Sequence, residues 1–185
     1  MNAPAHSKGV TLIEVLVALI VISVGLLGIA KMQALAMAST RVSSMRSLIA
    51  IEAASLASAM HANRAYWQGA ASAAASFSTT VSGSAITAST DASLTAAGVP
   101  NCATPGTNPA PPWVGAPMAA YDLSCWGLGL QAVMPSATGT VTCSGASVSC
   151  TITVNWQETT VGMNASTQYT NQAPTQLYYA LLVQP

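Results

Sequence analysis

The chain has 185 residues, of which only ten are charged, five basic and five acidic, so its net charge is zero. This balance excludes the basic patch with which proteins hold a nucleic-acid backbone, and no nucleic-acid partner is expected. It also differs from a disordered tail of high net charge. Residues 65–90 and 159–185 carry no charge at all, so the surface depends on hydroxyl and amide groups for solubility.

A long apolar stretch lies close to the N-terminus, with a single carboxylate near its head. Between Leu12 and Ala30, Glu14 is the one charged residue. At about 1.5 Å per residue this stretch covers roughly 28 Å, close to the hydrocarbon thickness of a membrane. It is too long for a secretory signal peptide, and no Ala-x-Ala site closes it. A carboxylate inside hydrocarbon is costly without a partner, so Glu14 indicates a specific role.

The head of this stretch reads Gly-Val-Thr-Leu-Ile-Glu-Val-Leu-Val-Ala-Leu over residues 9–19. It resembles the class III signal of type IV pilins and type II secretion pseudopilins. In that family a prepilin peptidase of the inner membrane cleaves after the glycine and methylates the new amine. The resemblance therefore implies cleavage between Gly9 and Val10, N-methylation of Val10, and a leader of residues 1–9. Val10 departs from the family's usual Phe or Met.

Glu14 becomes the fifth residue of the mature chain under this resemblance. In the family, apolar N-terminal helices bundle in a filament core with their N-termini buried. A buried carboxylate and a buried ammonium are each costly alone and less costly when paired. The resemblance thus implies that Glu14 pairs with the amine of Val10 on a neighbouring subunit. Such a pair would set the axial register of assembly, as polar core residues do in coiled coils.

The helix is expected to continue beyond the apolar stretch, because apolar residues then recur at spacings of mostly three or four. The pattern predicts one helix from about Thr11 to Arg64. Residues 10–30 would form its membrane-spanning or filament-core half, and residues 31–64 its amphipathic half. Glu52 falls near the apolar side, and the sequence gives no account of it. The periodic residues are Val42, Met45, Ile49, Leu56 and Met60.

Residues 65–185 are expected to form a globular domain in the periplasm. Residues 69–98 are rich in Ala, Ser and Thr and predict a connection with a short strand near Ile86. Residues 100–117 hold six of the ten prolines and predict a rigid irregular loop. A helical pattern follows from Asp122 and ends before Pro135.

Alternating apolar residues then predict an antiparallel sheet at the C-terminal end. The fold class is therefore α+β, with a long N-terminal helix packed on the sheet, as in pilins. The predicted strands cover 138–143, 148–157 and 176–183.

The four cysteines are expected to form disulfides, since an exported domain meets an oxidising compartment. No Cys/His cluster has the spacing of a metal site, so neither a metal nor another cofactor is expected. Three connectivities are possible. The favoured one joins Cys143 to Cys150 across a hairpin and Cys102 to Cys125 at the proline-rich loop.

Catalysis is not predicted, because the chain has few side chains that could act as an acid or a base. Beyond Glu52 the carboxylates are Asp91, Asp122 and Glu158, and no histidine follows His61 to act as a base. The four tryptophans are more typical of core or subunit contacts than of a ligand cage.

A second resemblance lies in the C-terminal part of the chain. Trp126, Leu130, the Met134-Pro135 pair, Gly139 and a strand ending at Trp156 are similar to the PilV group of minor pilins. This resemblance implies a structural subunit that helps to prime or cap a type IV pilus. It would be anchored in the bacterial inner membrane with its C-terminal domain in the periplasm, and would then reach the cell-surface pilus.

The resemblance also implies the partners of the chain. They are prepilin peptidase, other minor pilins, the major pilin, the inner-membrane assembly platform and the lipid bilayer. Two alternatives remain open. One is a minor pseudopilin of type II secretion, which shares the signal. The other is a membrane-anchored adhesin or binding domain.

Overall fold

The computed structural model describes residues 9–73, 76–145, 149–158 and 175–185. Contacts within the chain group residues 1–42 into one unit and residues 43–185 into a second, compact unit. A first helix, α1 (Leu12–Ala62), begins in the first unit and ends in the second. The two units are described separately below.

The described part of the first unit is the apolar beginning of α1. Between Leu12 and Leu27 every large apolar side chain is exposed, with exposed fractions that range from 49% at Val15 to 84% at Leu12. α1 is long and apolar enough to cross a membrane. In the apolar 18-residue segment that meets this condition, no residue is buried within the chain. These side chains therefore need lipid or other protein segments to cover them.

The second half of α1 belongs to the compact unit and buries one face. Ile49, Ala53, Leu56 and Met60 are buried at spacings of three and four, which is the period of one helical face. α1 ends at Ala62, and a second helix, α2 (Arg64–Ala73), follows after a break at Asn63. The Asn63 amide donates to the Gly115 carbonyl at 2.8 Å, so the residue at the break is tied to the start of the segment that follows the proline-rich loop.

Five antiparallel strands form one sheet in the order β2-β1-β3-β4-β5. On the inner face, apolar side chains of the three central strands join the buried residues of α1 in a single core. On the outer face, hydroxyls align across strands, as in the row Thr80, Thr140 and Thr153. The strands are β1 (Phe77–Ser82), β2 (Ala85–Ser89), β3 (Thr138–Ser144), β4 (Ser149–Glu158) and β5 (Thr175–Val183).

A third helix, α3 (Ala116–Val133), packs on the same inner face. Its Trp126 is central to this packing. The indole N–H donates to the Glu52 carbonyl of α1 at 3.0 Å. The indole ring also lies where a Cβ on Gly139 of β3 would stand. The Trp126 side chain, which belongs to α3, thus contacts both α1 and the sheet.

The predicted fold class is confirmed, since a long N-terminal helix is followed by a five-stranded antiparallel sheet in a pilin-like α+β arrangement. Some boundaries differ from the sequence expectation. The expected end of the helix at Arg64 falls instead in α2, because Asn63 interrupts the helix. The stretch 69–98 is not mainly a connection, since it supplies both β2 and β1, and β1 lies inside the sheet.

Gly127 of α3 gives a test of this packing. A Cβ at Gly127 would collide with the Gly83 carbonyl and the Val81 side chain. We expect Gly127→Ala to destabilise the domain by about 2 kcal/mol through overpacking. Gly69→Ala in α2 is the matched control, because nothing lies within 4 Å of its added Cβ. It should stabilise by about 1 kcal/mol through helix propensity. Urea unfolding followed by tryptophan fluorescence measures both, and equal effects would contradict the packing described.

Candidate functional site at the N-terminus

The candidate site is the start of α1 and the residues just before it. The Thr11 carbonyl accepts the N–H groups of Glu14 at 3.0 Å and Val15 at 3.3 Å, and this forms the first turn. Gly9 and Val10 precede the helix and are exposed. The Gly9–Val10 peptide bond therefore lies in accessible, non-helical backbone. An enzyme can reach such a bond without unwinding a helix.

Within the described residues, Gly9 has no structural reason to be glycine. Among them, no heavy atom lies within 4 Å of the position that a Cβ would take. Neither close packing against these residues nor a positive φ therefore requires glycine at this position. The packing of the described chain thus leaves the identity of residue 9 open.

Glu14 lies in the first turn of α1, where a carboxylate interacts favourably with the positive end of the helix dipole. It is exposed. Among residues 9–73, 76–145, 149–158 and 175–185, its side chain forms no ion pair or hydrogen bond. The ion pair of the described chain is elsewhere, between Arg46 and Glu158 at 2.9 Å. In an apolar environment the Glu14 carboxylate would thus need a cation from outside the described chain.

The disulfides lie in the compact unit. Cys102 is joined to Cys125 and Cys143 to Cys150, which is the pairing that the sequence favours. The first bond attaches the proline-rich loop to α3, supported by the Cys102 N–H donating to the Ser124 hydroxyl at 2.8 Å. The second joins directly opposed residues of β3 and β4.

A polar cluster around Asp91 links α2 to the short 3₁₀ turn that follows β2. The Tyr66 hydroxyl donates to this carboxylate at 2.7 Å, and the Ser93 N–H and hydroxyl donate at 2.9 and 2.6 Å. Burial works to raise the pKa of Asp91, but the bonds from Ser93 and Tyr66 outweigh it and hold that pKa below its usual value. Burial and the neighbouring Asp91 carboxylate raise the pKa of Tyr66. Tyr66 thus stays protonated and donates to Asp91, which in turn caps the short 3₁₀ turn at Ala92–Leu94.

Two carboxylates, Glu52 and Asp122, line a cleft of about 280 Å³ between α1 and α3. Burial raises the pKa of Asp122 to about 6. Within the described ranges, no three or more His, Cys, Asp or Glu residues are grouped to hold a metal ion. Among the described residues that line the cleft, Ser55 and Tyr121 carry hydroxyls, and none is a histidine, a lysine or a free cysteine.

The structure accounts for Glu52, which the sequence left unexplained. Its carbonyl accepts the Trp126 indole N–H, and its carboxylate lies 3.0 Å from the position of a Cβ on Gly129. The residue therefore faces α3, and a glycine in α3 makes room for it. The glycine pair Gly127 and Gly129 is a sequence signal for such a close approach between elements.

Residues 4–30 match the family model described as the prokaryotic N-terminal methylation motif. Searches of curated proteins and of solved structures return no match. The motif supports a pilin or pseudopilin, which is a structural subunit rather than an enzyme. It implies processing by prepilin peptidase and assembly with other pilins, and together with the apolar helix it is consistent with anchoring in the inner membrane.

Asp122 gives a pH-dependent test of the α1–α3 cleft. Its pKa is raised on folding, so the native state binds more protons than the unfolded state between about pH 4 and pH 6, and stability falls as pH rises through that window. We expect Asp122→Asn to raise the melting temperature at neutral pH and to have little effect near pH 4. Thermal unfolding of the detergent-solubilised chain measures this.

Asp91→Asn is the control for this prediction, because its expected effect on the melting temperature at neutral pH has the opposite sign. Its pKa is lowered on folding, so the carboxylate contributes stability above its unfolded pKa and loses that contribution as pH falls. The variant should lower the melting temperature at neutral pH. A gain for Asp122→Asn that is equal at both pH values would show that burial of the charge is not the cause.

Proposed function

We propose that the chain is a minor pilin of a type IV pilus, a subunit that helps to prime or cap pilus assembly. The observation that carries this proposal is the methylation motif over residues 4–30, with an exposed carboxylate at Glu14 in the first turn of the helix. The pilin-like fold and the exposed apolar helix support the same conclusion.

In this proposal the first step is proteolysis. Prepilin peptidase hydrolyses the Gly9–Val10 bond and releases residues 1–9, and methylation of the new Val10 amine follows. The exposed, non-helical backbone at Gly9 and Val10 supports access to this bond. Cleavage here places a positive charge four residues before Glu14.

The second step is pairing of charges between subunits. The Val10 ammonium of one subunit pairs with the Glu14 carboxylate of the next when their apolar helices come together. Glu14 has no partner of its own within the described chain, which supports a partner from a neighbour. A buried pair of this kind sets register rather than adding much stability, because desolvation offsets the attraction.

The proposal also assigns each segment of the chain to a compartment. Residues 10–30 span the inner membrane or lie in the filament core, residues 31–64 continue the helix, and residues 65–185 form the periplasmic domain. Two disulfides support exposure of that domain to an oxidising compartment. The partners are the peptidase, other minor pilins, the major pilin, the inner-membrane platform and the bilayer.

Assignment to the PilV group rests on the C-terminal pattern. Two of its residues, Trp126 and Gly139, are in contact, since the ring occupies the space beside the glycine. This part of the pattern thus corresponds to a packing unit between α3 and β3.

Processing can be tested directly on the mature protein. We expect N-terminal mass spectrometry of the chain from its host membrane to find a methylated Val10 as the first residue. Val10→Phe, the family's usual residue, should be cleaved at the same bond. Gly9→Leu should leave the leader attached, because a large side chain replaces the residue that the peptidase recognises. A mature N-terminus at any other position would refute the proposed site.

Glu14 can be tested by incorporation into pili. We expect Glu14→Ala to be cleaved normally but to fall at least about tenfold in sheared pili, since removing one member of a buried ion pair leaves the other unpaired. Glu14→Gln, which keeps the size and removes the charge, should fall similarly. Immunoblots of pilus and membrane fractions measure the ratio, and unchanged incorporation of both variants would contradict the role.

Deletion of the gene separates the pilus from the alternatives that share the motif. Loss of twitching motility with normal exoprotein secretion is expected. The reverse pattern would assign the chain to a type II secretion system instead. Ligand binding by the periplasmic domain, with both phenotypes intact, would favour an adhesin.

A further inference from the structure

The edge strand β5 lacks the features that protect a sheet edge. Within the described part of the chain, β5 pairs with β4 along one side and with no strand along the other. Its nine residues, Thr175–Val183, include no charged residue and no proline, and its pairing with β4 continues without a bulge. Natural edges are usually protected by charge, proline, a bulge or short length.

The register shows which backbone groups β5 presents at this edge. Cys143 and Cys150 face each other with a Cα–Cα distance of 4.0 Å, which identifies a non-hydrogen-bonded pair of β3 and β4. The Cys150 backbone groups therefore point toward β5. Seven residues on, the Gln157 N–H points the other way and donates to Ser136, beside the start of β3, at 3.4 Å.

The backbone N–H and C=O groups of β5 alternate in direction in the same way as those of β4. Cys150 opposes Val183, so Val183 and every second residue before it bond to β4. The intervening residues direct their N–H and C=O groups to the free edge. They are Gln176, Tyr178, Ala180 and Leu182.

The same four residues also carry exposed side chains. Tyr178 is 72% and Leu182 is 68% exposed, both on the outer face of the sheet. On the inner face, Leu177, Tyr179 and Leu181 are only half-buried. An added strand would therefore cover apolar area on both faces and would satisfy a row of backbone groups.

We infer that the β5 edge accepts one extended, uncharged strand from another polypeptide, a different subunit anchored in the same membrane. A row of alternating N–H and C=O groups at strand spacing is matched by another extended backbone, and the absence of charge on β5 favours an uncharged partner. The choice of a pilus subunit as the donor rests on the proposed function. The ability of the edge to accept a strand does not.

A second copy of this chain does not fit the edge in antiparallel pairing. Two β5 strands paired in that way would be related by a two-fold axis perpendicular to the sheet. The second half of α1 lies against the sheet, so this axis would point the two helices in opposite directions. Subunits held in one membrane enter their domains from the same side, so two copies of this chain do not pair through β5 in this antiparallel way.

A synthetic peptide with the sequence of residues 175–183, carrying a fluorophore and a short lysine tail, is a suitable probe. A free peptide carries no α1 helix, so the direction of that helix does not restrict how the peptide pairs with β5. In an antiparallel register centred on Tyr179 it would place Leu177 opposite Leu181 and Tyr178 opposite Ala180. We expect saturable binding to the full-length chain in detergent micelles, measured by fluorescence anisotropy.

Two variants of one residue test the backbone contacts. Ala180→Pro removes an N–H that faces the free edge and not β4, so the fold should persist while affinity falls at least about tenfold. Ala180→Ser keeps the N–H and should bind within about twofold of the wild type. Leu182→Lys keeps the backbone and adds an edge charge, so it should also reduce binding and serves if the proline variant fails to fold.

Absence of peptide binding to the wild type would overturn the inference, as would equal binding by the proline and serine variants. Neither result touches the proposed function, which depends on cleavage at Gly9 and incorporation through Glu14. Conversely, a chain that is not a pilus subunit but binds the peptide would retain the strand-accepting edge and lose only the identity of the donor.

Discussion

The compact domain depends on the placement of one side chain, Trp126. Its indole N–H is satisfied by the Glu52 carbonyl in α1, and its ring fills the space left by Gly139 in β3. Helix, helix and strand are thereby held at one point, and the leucines and valines of the core pack around it. A smaller residue at this position would leave a cavity, and a Cβ at Gly139 would displace the ring.

Much of this arrangement could be predicted from the sequence where periodicity was strong. The long helix and the strands β3, β4 and β5 have clear apolar periodicity and lie within a few residues of their predicted positions. α3 ends close to its predicted end but begins at Ala116, six residues before the predicted start at Asp122 and inside the stretch expected to be a loop. β1 could not be predicted, because its inward positions include the buried polar Thr79 within a run of small residues. The break at Asn63 could not be predicted either, because it depends on a hydrogen bond to Gly115, a residue distant in sequence.

The two ends of the chain differ in how well their sequence specifies their role. At the N-terminus the motif is local, so the segment that contains Gly9, Val10 and Glu14 could be identified without a structure. In the compact domain the informative residues are far apart in sequence, as Glu52 and Gly129 are, and tertiary packing was needed to relate them. The free edge of β5 belongs to this second kind, because its meaning depends on strand order.

The hydroxyl rows on the outer face of the sheet have a further consequence. Thr80, Thr140 and Thr153 interact with their surroundings through neutral groups, and dissolved ions screen only charges. The described chain has one ion pair, in which the half-exposed Arg46 bonds both carboxylate oxygens of the largely buried Glu158. The stability of the folded domain is therefore expected to depend little on salt concentration, because few of its described contacts join charged groups.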